Sequence, residues 1–200
     1  MNEKYKKFIT PGIIVGVLLL IVLWIGGTYN SLVQDREKVT ASFSNVQTQY
    51  QRRADLVGNL VNTVKGSSNF EQDTLTAVTD ARSKVGKVTI DASASQEQVQ
   101  QYVEAQNQMT SSLSRLIAVA ENYPDIKSTA AYQDLMSQLE GTENRIQVAR
   151  SDFNNVARPY NARVQTFPTN VIANLFGFSQ RAYFESQDGA EKAPTVDFSN

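Results

Sequence analysis

Apolar positions in this chain follow two patterns, one continuous and one periodic, and each predicts a different kind of helix. From Phe8 to Gln34 no residue is charged, and positions 11–25 are almost wholly aliphatic. A hydrocarbon core of ~30 Å takes about 20 mostly apolar helical residues, so this run is long enough to span a bilayer with Trp24 and Tyr29 at an interface. Beyond it the pattern becomes periodic. Leu32, Arg36, Val39, Phe43, Val46, Tyr50, Arg53, Val57, Leu60 and Val64 follow one another at alternating steps of four and three, and only the two arginines are not apolar. This is a heptad seam. It predicts that the first helix continues out of the membrane to Lys65, where Gly66 closes it. Alone in water such a helix is marginal, so the seam needs partners.

A second helix is predicted over residues 70–85, with Leu75, Val78, Ala81 and Val85 on one side and Gly86 at its end. Residues 87–94 read as a loop. Ser95-Gln96-Glu97-Gln98 is a capping box, because the Ser hydroxyl and the Gln side chain satisfy orphan amides at a helix start. The third helix then carries Val99, Tyr102, Met109, Leu113, Leu116, Ala120 and Tyr123, and Pro124 stops it. The fourth mirrors the first: Tyr132, Leu135, Leu139, Thr142, Ile146, Ala149, Phe153, Val156, Tyr160, Arg163 and Phe167 again step by three and four. Pro159 within it is expected to kink or open the helix, and Phe167-Pro168 to end it. A short apolar piece, Val171 to Phe176, follows and is capped by Gly177.

The expected fold class is all-α: an N-terminal transmembrane helix followed by an antiparallel, up-down-up-down four-helix bundle. The segments read as 1–7, a short cytoplasmic basic stretch; 8–29, the anchor; 30–178, the bundle; and 179–200, a loosely ordered tail rich in Gly, Pro, Ser and charge. In this order the fourth helix returns to the membrane. The Pro159 region and Val171, Ile172, Leu175, Phe176 and Phe178 are then expected near the bilayer, either lying on it or capping the open end of the bundle.

Charge sets the orientation. Lys4, Lys6 and Lys7 precede the span against Glu3 alone, whereas Asp35, Arg36, Glu37 and Lys38 beyond it cancel. The N-terminus is therefore expected in the cytoplasm of a cell (inner) membrane and the bundle outside it, periplasmic where there is a second membrane. The competing reading is a cleaved signal peptide. A cut after Gly27 would place bulky Ile25 where a small residue is wanted, so an uncleaved anchor is expected. The absence of cysteine excludes a lipoprotein anchor and disulfides.

The whole chain has 19 basic and 20 acidic residues, and setting aside Lys4, Lys6, Lys7 and Glu3 leaves 16 against 19. That slight acidity argues against nucleic acid as a partner. The expected partners are the lipid bilayer, through the N-terminal helix, and an envelope protein.

Several strings are familiar. Tyr29-Asn30-Ser31-Leu32-Val33, Gln51-Arg52-Arg53-Ala54-Asp55-Leu56-Val57, Asn59-Leu60-Val61 and Val64-Lys65-Gly66 resemble the LemA family of membrane-anchored bacterial proteins. So do Glu121-Asn122-Tyr123-Pro124-Asp125, Glu140-Gly141-Thr142-Glu143-Asn144-Arg145-Ile146, Tyr160-Asn161 and Phe167-Pro168. The likeness runs in order from Tyr29 to Phe198. Gly58 departs from it where the family usually has proline, Phe43 where tryptophan is common, and Phe153-Asn154 replaces a Tyr-Asn pair. The resemblance implies a short N-terminal anchor and an antiparallel helical bundle, and little mechanism.

Chemistry is constrained by elimination. With no histidine or cysteine, the usual triads, thiol nucleophiles, most zinc sites and Glu-x-x-His di-iron sites are absent. No Gly-rich phosphate loop occurs. No cofactor, metal site or enzymatic activity is expected. Glu140 and Glu143 are spaced to share a basic partner or a hard cation, and pairing with a basic residue is the favoured reading. Arg53 lies on the first seam. If the first and fourth helices run antiparallel with Val64 near Tyr132, it meets Glu143 in a structural ion pair. Asn30, Asn154 and Asn161 are expected to bond a neighbouring helix or water rather than form a recognition surface. Two functional classes follow: a non-catalytic envelope component presenting a partner-binding surface as scaffold, accessory or sensor input, or a small-molecule or cation-binding sensor or enzyme with a pocket between helices. The first is expected, since no constellation supports chemistry.

Overall fold

The continuous apolar run and the first seam lie on one uninterrupted helix. The computed structural model of the protein describes residues 3–66 and 70–185, with side chains from residue 11 onward. Within these residues there are six helices and no strand. Helix α1, Glu3–Lys65, is 63 residues long, or about 95 Å at ~1.5 Å per residue. Its apolar portion is exposed over residues 11–24, with Leu20 68% and Leu23 71% accessible. Seven residues beyond Ile25 the same helix enters the core: Leu32, Val39, Phe43, Val46, Tyr50, Arg53, Val57, Leu60 and Val64 are all buried. The helix is long and apolar enough to cross a membrane.

The other helices are α2 (Gln72–Lys87), α3 (Gln96–Ala120), α4 (Pro124–Lys127), α5 (Ala130–Gln165) and α6 (Thr169–Leu175). α1 packs along α5 and α2 along α3; α2 also meets α1, and α6 meets both α1 and α5. Asp35 pairs with Arg163, whereas Arg53, farther along α1, pairs with Glu143, nearer the start of α5. Ser95 caps α3 through the expected box: its hydroxyl accepts from the Gln98 amide at 3.2 Å, and the Gln98 side chain accepts from the Ser95 amide at 2.9 Å.

Several boundaries differ from the sequence reading. α2 begins at Gln72, and Gly86 falls inside its last turn. α3 ends at Ala120 rather than Tyr123, because Pro124 is the first residue of its own short helix, where its missing N–H costs nothing. α5 carries Pro159 within its span to Gln165. Asn155, whose carbonyl has no helical donor from Pro159, and Pro159 itself are both exposed, so the missing bond falls on the solvent-facing side of the helix. Near this point the buried stripe keeps Tyr160 but otherwise moves off the seam, to Ala157, Asn161 and Val164, and Phe167 is left 77% exposed.

The reading of 179–200 as a loose tail is corrected for 179–185; the remainder lies outside the described residues. Arg181 and Phe184 are buried. Three side-chain amides hold this extended stretch, each pairing with both the N–H and the C=O of one residue. Asn161 takes Arg181 at 2.8 and 2.8 Å, Gln96 takes Tyr183 at 3.2 and 3.1 Å, and Asn154 takes Phe184 at 2.7 and 3.0 Å. A strap therefore ties α5 to the start of α3. Composition misjudged it because its backbone bonds go to side chains far away in sequence.

Candidate functional site

Buried side chains divide into two principal apolar clusters. One runs from Leu32 to Tyr50 on α1 and takes in Tyr102, Ile146, Phe153, Tyr160, Ile172, Phe178 and Phe184. The other runs from Leu56 to Val64 and takes in Leu75, Val78, Leu116, Ile126, Tyr132 and Leu139. Between them on each long helix lies a polar residue: Arg53 on α1, Gln106 on α3 and Thr142 on α5, all buried.

Arg53 organises this layer. Its Nη1 donates to Glu143 Oε2 at 3.0 Å and to Thr110 Oγ1 at 3.1 Å. Its Nη2 donates to the Gln106 carbonyl at 3.3 Å and to the Gln106 side-chain oxygen. The guanidinium also lies 5.3 Å from the Tyr50 ring centre, within cation–π range. Only Nε lacks a protein partner. Gln106 and Thr110 are part of the layer that sequence reading missed. They sit four apart on α3, a legible spacing, but nothing in α3 alone says that it faces Arg53.

Aromatic residues pack directly beneath. Tyr50 and Tyr102 meet edge to face with ring centres 5.3 Å apart. Burial pushes the Tyr102 hydroxyl up to about 12, reinforced by Tyr50, and burial likewise raises Tyr50. These are phenols held neutral, poorly suited to act as bases. Among the described residues no group of three or more His, Cys, Asp or Glu side chains is placed to hold a metal ion. Glu140 is exposed.

The C-terminal segment divides its side chains between two environments. Ile172, Ala173 and Phe178 are buried, whereas Val171 is 56%, Leu175 72% and Phe176 49% exposed. Gly177, at φ +72°, ends α6 in a left-handed turn that a side chain would strain. The Phe178 amide reaches the Ala173 carbonyl at 2.9 Å and the Gly177 amide reaches Asn174 at 3.4 Å, a Schellman pattern that turns Phe178 inward. Tyr29, at the end of the apolar run, meets Phe176 and Phe178 edge-on at 4.9 and 5.6 Å. Asn30 is exposed. Elsewhere, a broad open groove lies between α2, α3 and the strap, lined by Lys84, Gln100, Glu104, Gln108, Ser111 and Glu185 among others.

Comparison with known proteins places this architecture. The chain is 29% identical to magnetosome protein MamQ 2 of Paramagnetospirillum magneticum, over 82% of this chain and 66% of that one. It is 28% identical to magnetosome protein MamQ of Magnetospirillum gryphiswaldense, with the same coverage of 82% and 66%. It is 26% identical to protein LemA of Metamycoplasma hominis, over 86% of this chain and 78% of that one. The chain thus spans just under two thirds of the length of its magnetosome relatives. A family model described as the LemA family matches residues 42–198, from within the first seam to beyond the strap, and the chain belongs to the LemA family.

Proposed function

We propose that the protein is a single-pass, membrane-anchored, non-catalytic component of the bacterial envelope. In this reading α1, α2, α3 and α5 form an antiparallel four-helix bundle outside the cytoplasm that presents a surface to an envelope protein partner. One observation carries it: α1 passes from an exposed apolar run into a buried heptad seam without a break. A flexible linker would let a domain tumble, whereas a continuous helix holds it at a set height above the bilayer. The polar layer around Arg53 supports a structural role, since both Nη atoms of the arginine are spent on Glu143, Thr110 and Gln106. The groove beside Gln100 and Glu104 is the surface assigned to the partner.

The test uses the full chain, which contains no cysteine, so single reporters are clean. Ser128→Cys lies on an exposed turn far from the span. It should react with a membrane-impermeant maleimide added outside the cytoplasmic membrane, and the protein should resist carbonate extraction. Reaction only after that membrane is broken would invert the orientation, and release by carbonate would remove the anchor. A photo-crosslinker at Gln100 should capture one defined envelope protein, whereas one at Gln133 should not. Identical products from both positions would reject the groove as the contact.

A further inference from the structure

Outside the span, large exposed apolar side chains are few. Among the described residues, Val148 stands by itself on α5, and Phe167, Val171, Leu175 and Phe176 gather on α6 and at its two ends. Such a cluster on a water-facing surface is unfavourable unless something covers it. Position identifies the cover. Ile25 is half-buried against the same cluster that holds Ile172 and Phe178, and Tyr29 touches Phe176 and Phe178. α6 therefore lies beside residues 25–29 of α1. Counted from Phe8, the about 20 residues needed to cross a hydrocarbon core end at this height. A helix fixed beside residues 25–29 cannot avoid the bilayer surface if α1 spans it.

We propose that the outward side of α6, with Phe167, seats in the headgroup–acyl boundary of the membrane that α1 crosses. This rests on the anchored reading above. Val171 and Leu175 are one helical turn apart and face outward together, while Ile172 and Ala173 face the core, so the short helix is apolar on both sides. No charged residue occurs between Arg163 and Arg181. Attachment therefore comes from apolar area and not from attraction to anionic lipid, unlike a basic amphipathic helix. A lone spanning helix is free to tilt and rotate. A second contact, rigidly joined to it through Tyr29, Phe178 and the Arg163–Asp35 pair, sets how the bundle stands on the membrane.

The experiment reconstitutes the full chain in phosphatidylcholine vesicles with one environment-sensitive fluorophore at Leu175→Cys, Val148→Cys or Leu18→Cys. Doxyl-labelled phosphatidylcholine quenches from the lipid and iodide from the water. The label at position 175 should be quenched severalfold more by doxyl lipid than the label at 148, and iodide should reverse that order. Replacing a third of the lipid with phosphatidylglycerol should leave both responses unchanged. Equal iodide quenching at 175 and 148 would overturn the proposal. So would resistance of the 175 label to both quenchers, the mark of a protein cover. A label at 18 that ignores doxyl lipid would overturn the anchor itself, whereas quenching at 18 without quenching at 175 removes only the contact of α6.

Discussion

Arg53 and Glu143 meet at 3.0 Å from opposite solvent environments: the arginine side chain is 4% exposed and the glutamate 43%. The cation thus belongs to the core, and its partner lies at the edge, where water already screens it. Glu143→Gln leaves a buried guanidinium with only neutral acceptors, whereas Arg53→Met leaves a carboxylate that can turn outward and takes the arginine donor from the Gln106 side-chain oxygen. Each single change should destabilise the folded protein by about 1–3 kcal/mol. The double mutant should recover part of the sum, measured by denaturant unfolding of the detergent-solubilised chain. Strict additivity would mean that the two residues are not energetically coupled.

The strap should depend on single amides. Asn154 supplies both a donor and an acceptor to Phe184, whose ring stacks on Phe43 with centres 6.1 Å apart. Asn154→Ala removes both bonds and leaves two buried backbone groups unpaired. Hydrogen exchange at the Phe184 amide should quicken by about tenfold or more, with smaller effects on the α1–α5 seam. Unchanged exchange would show that ring packing alone holds the segment.

Gly58 lies within α1, and a Cβ there would approach Cζ of Arg82 at 3.2 Å. The neighbour is the far end of a flexible side chain, 48% exposed, that donates from Nε to the Ala54 carbonyl at 2.9 Å. It can yield by a few tenths of an ångström. Gly58→Ala should therefore raise the melting temperature, with a gain of up to ~0.5–1 kcal/mol from helix propensity. A lower melting temperature would mean that the Arg82 contact outweighs propensity.

Alkaline pH should weaken the fold. Burial raises the Tyr50 hydroxyl and pushes Tyr102 up to about 12, whereas an unfolded chain releases phenolic protons near ~10. Below about pH 10 this stabilisation is complete. As pH rises from there towards 12, the unfolded chain binds fewer protons than the folded one, so stability falls. Unfolding midpoints measured from pH 8 to 12 should decline above about 10, and Tyr102→Phe should flatten part of that decline. An identical decline in the variant would assign it elsewhere.

How much of this was legible in the chain follows from what periodicity can report. A step of three and four residues marks one face of one helix, and α1 keeps that face from Leu32 to Val64 because its partners line it throughout. Two such seams of similar length also suggest a register: with Val64 set beside Tyr132, Arg53 on the first seam comes opposite Glu143, which stands next to the seam position Thr142 on the second. The charge-free run before Gln34 needs no partner to be recognised, since length and composition alone suit it to a bilayer.

What has no period had to wait for the tertiary structure. The strap, residues 179–185, is extended and polar in composition, and only amides on α3 and α5, as many as 87 residues away, give its backbone a place to bond. α6 is too short for a clear period and carries apolar residues on more than one side, so its sequence could not say which side chains face inward. Packing against α1 and α5 decided that for Ile172 and Phe178, and left Val171, Leu175 and Phe176 outside. The same holds for the end of α5. Beyond Phe153 the strap and α6 come to lie against it, and the buried face turns from Val156 and Arg163 to Ala157, Asn161 and Val164 because burial follows the neighbours rather than the heptad.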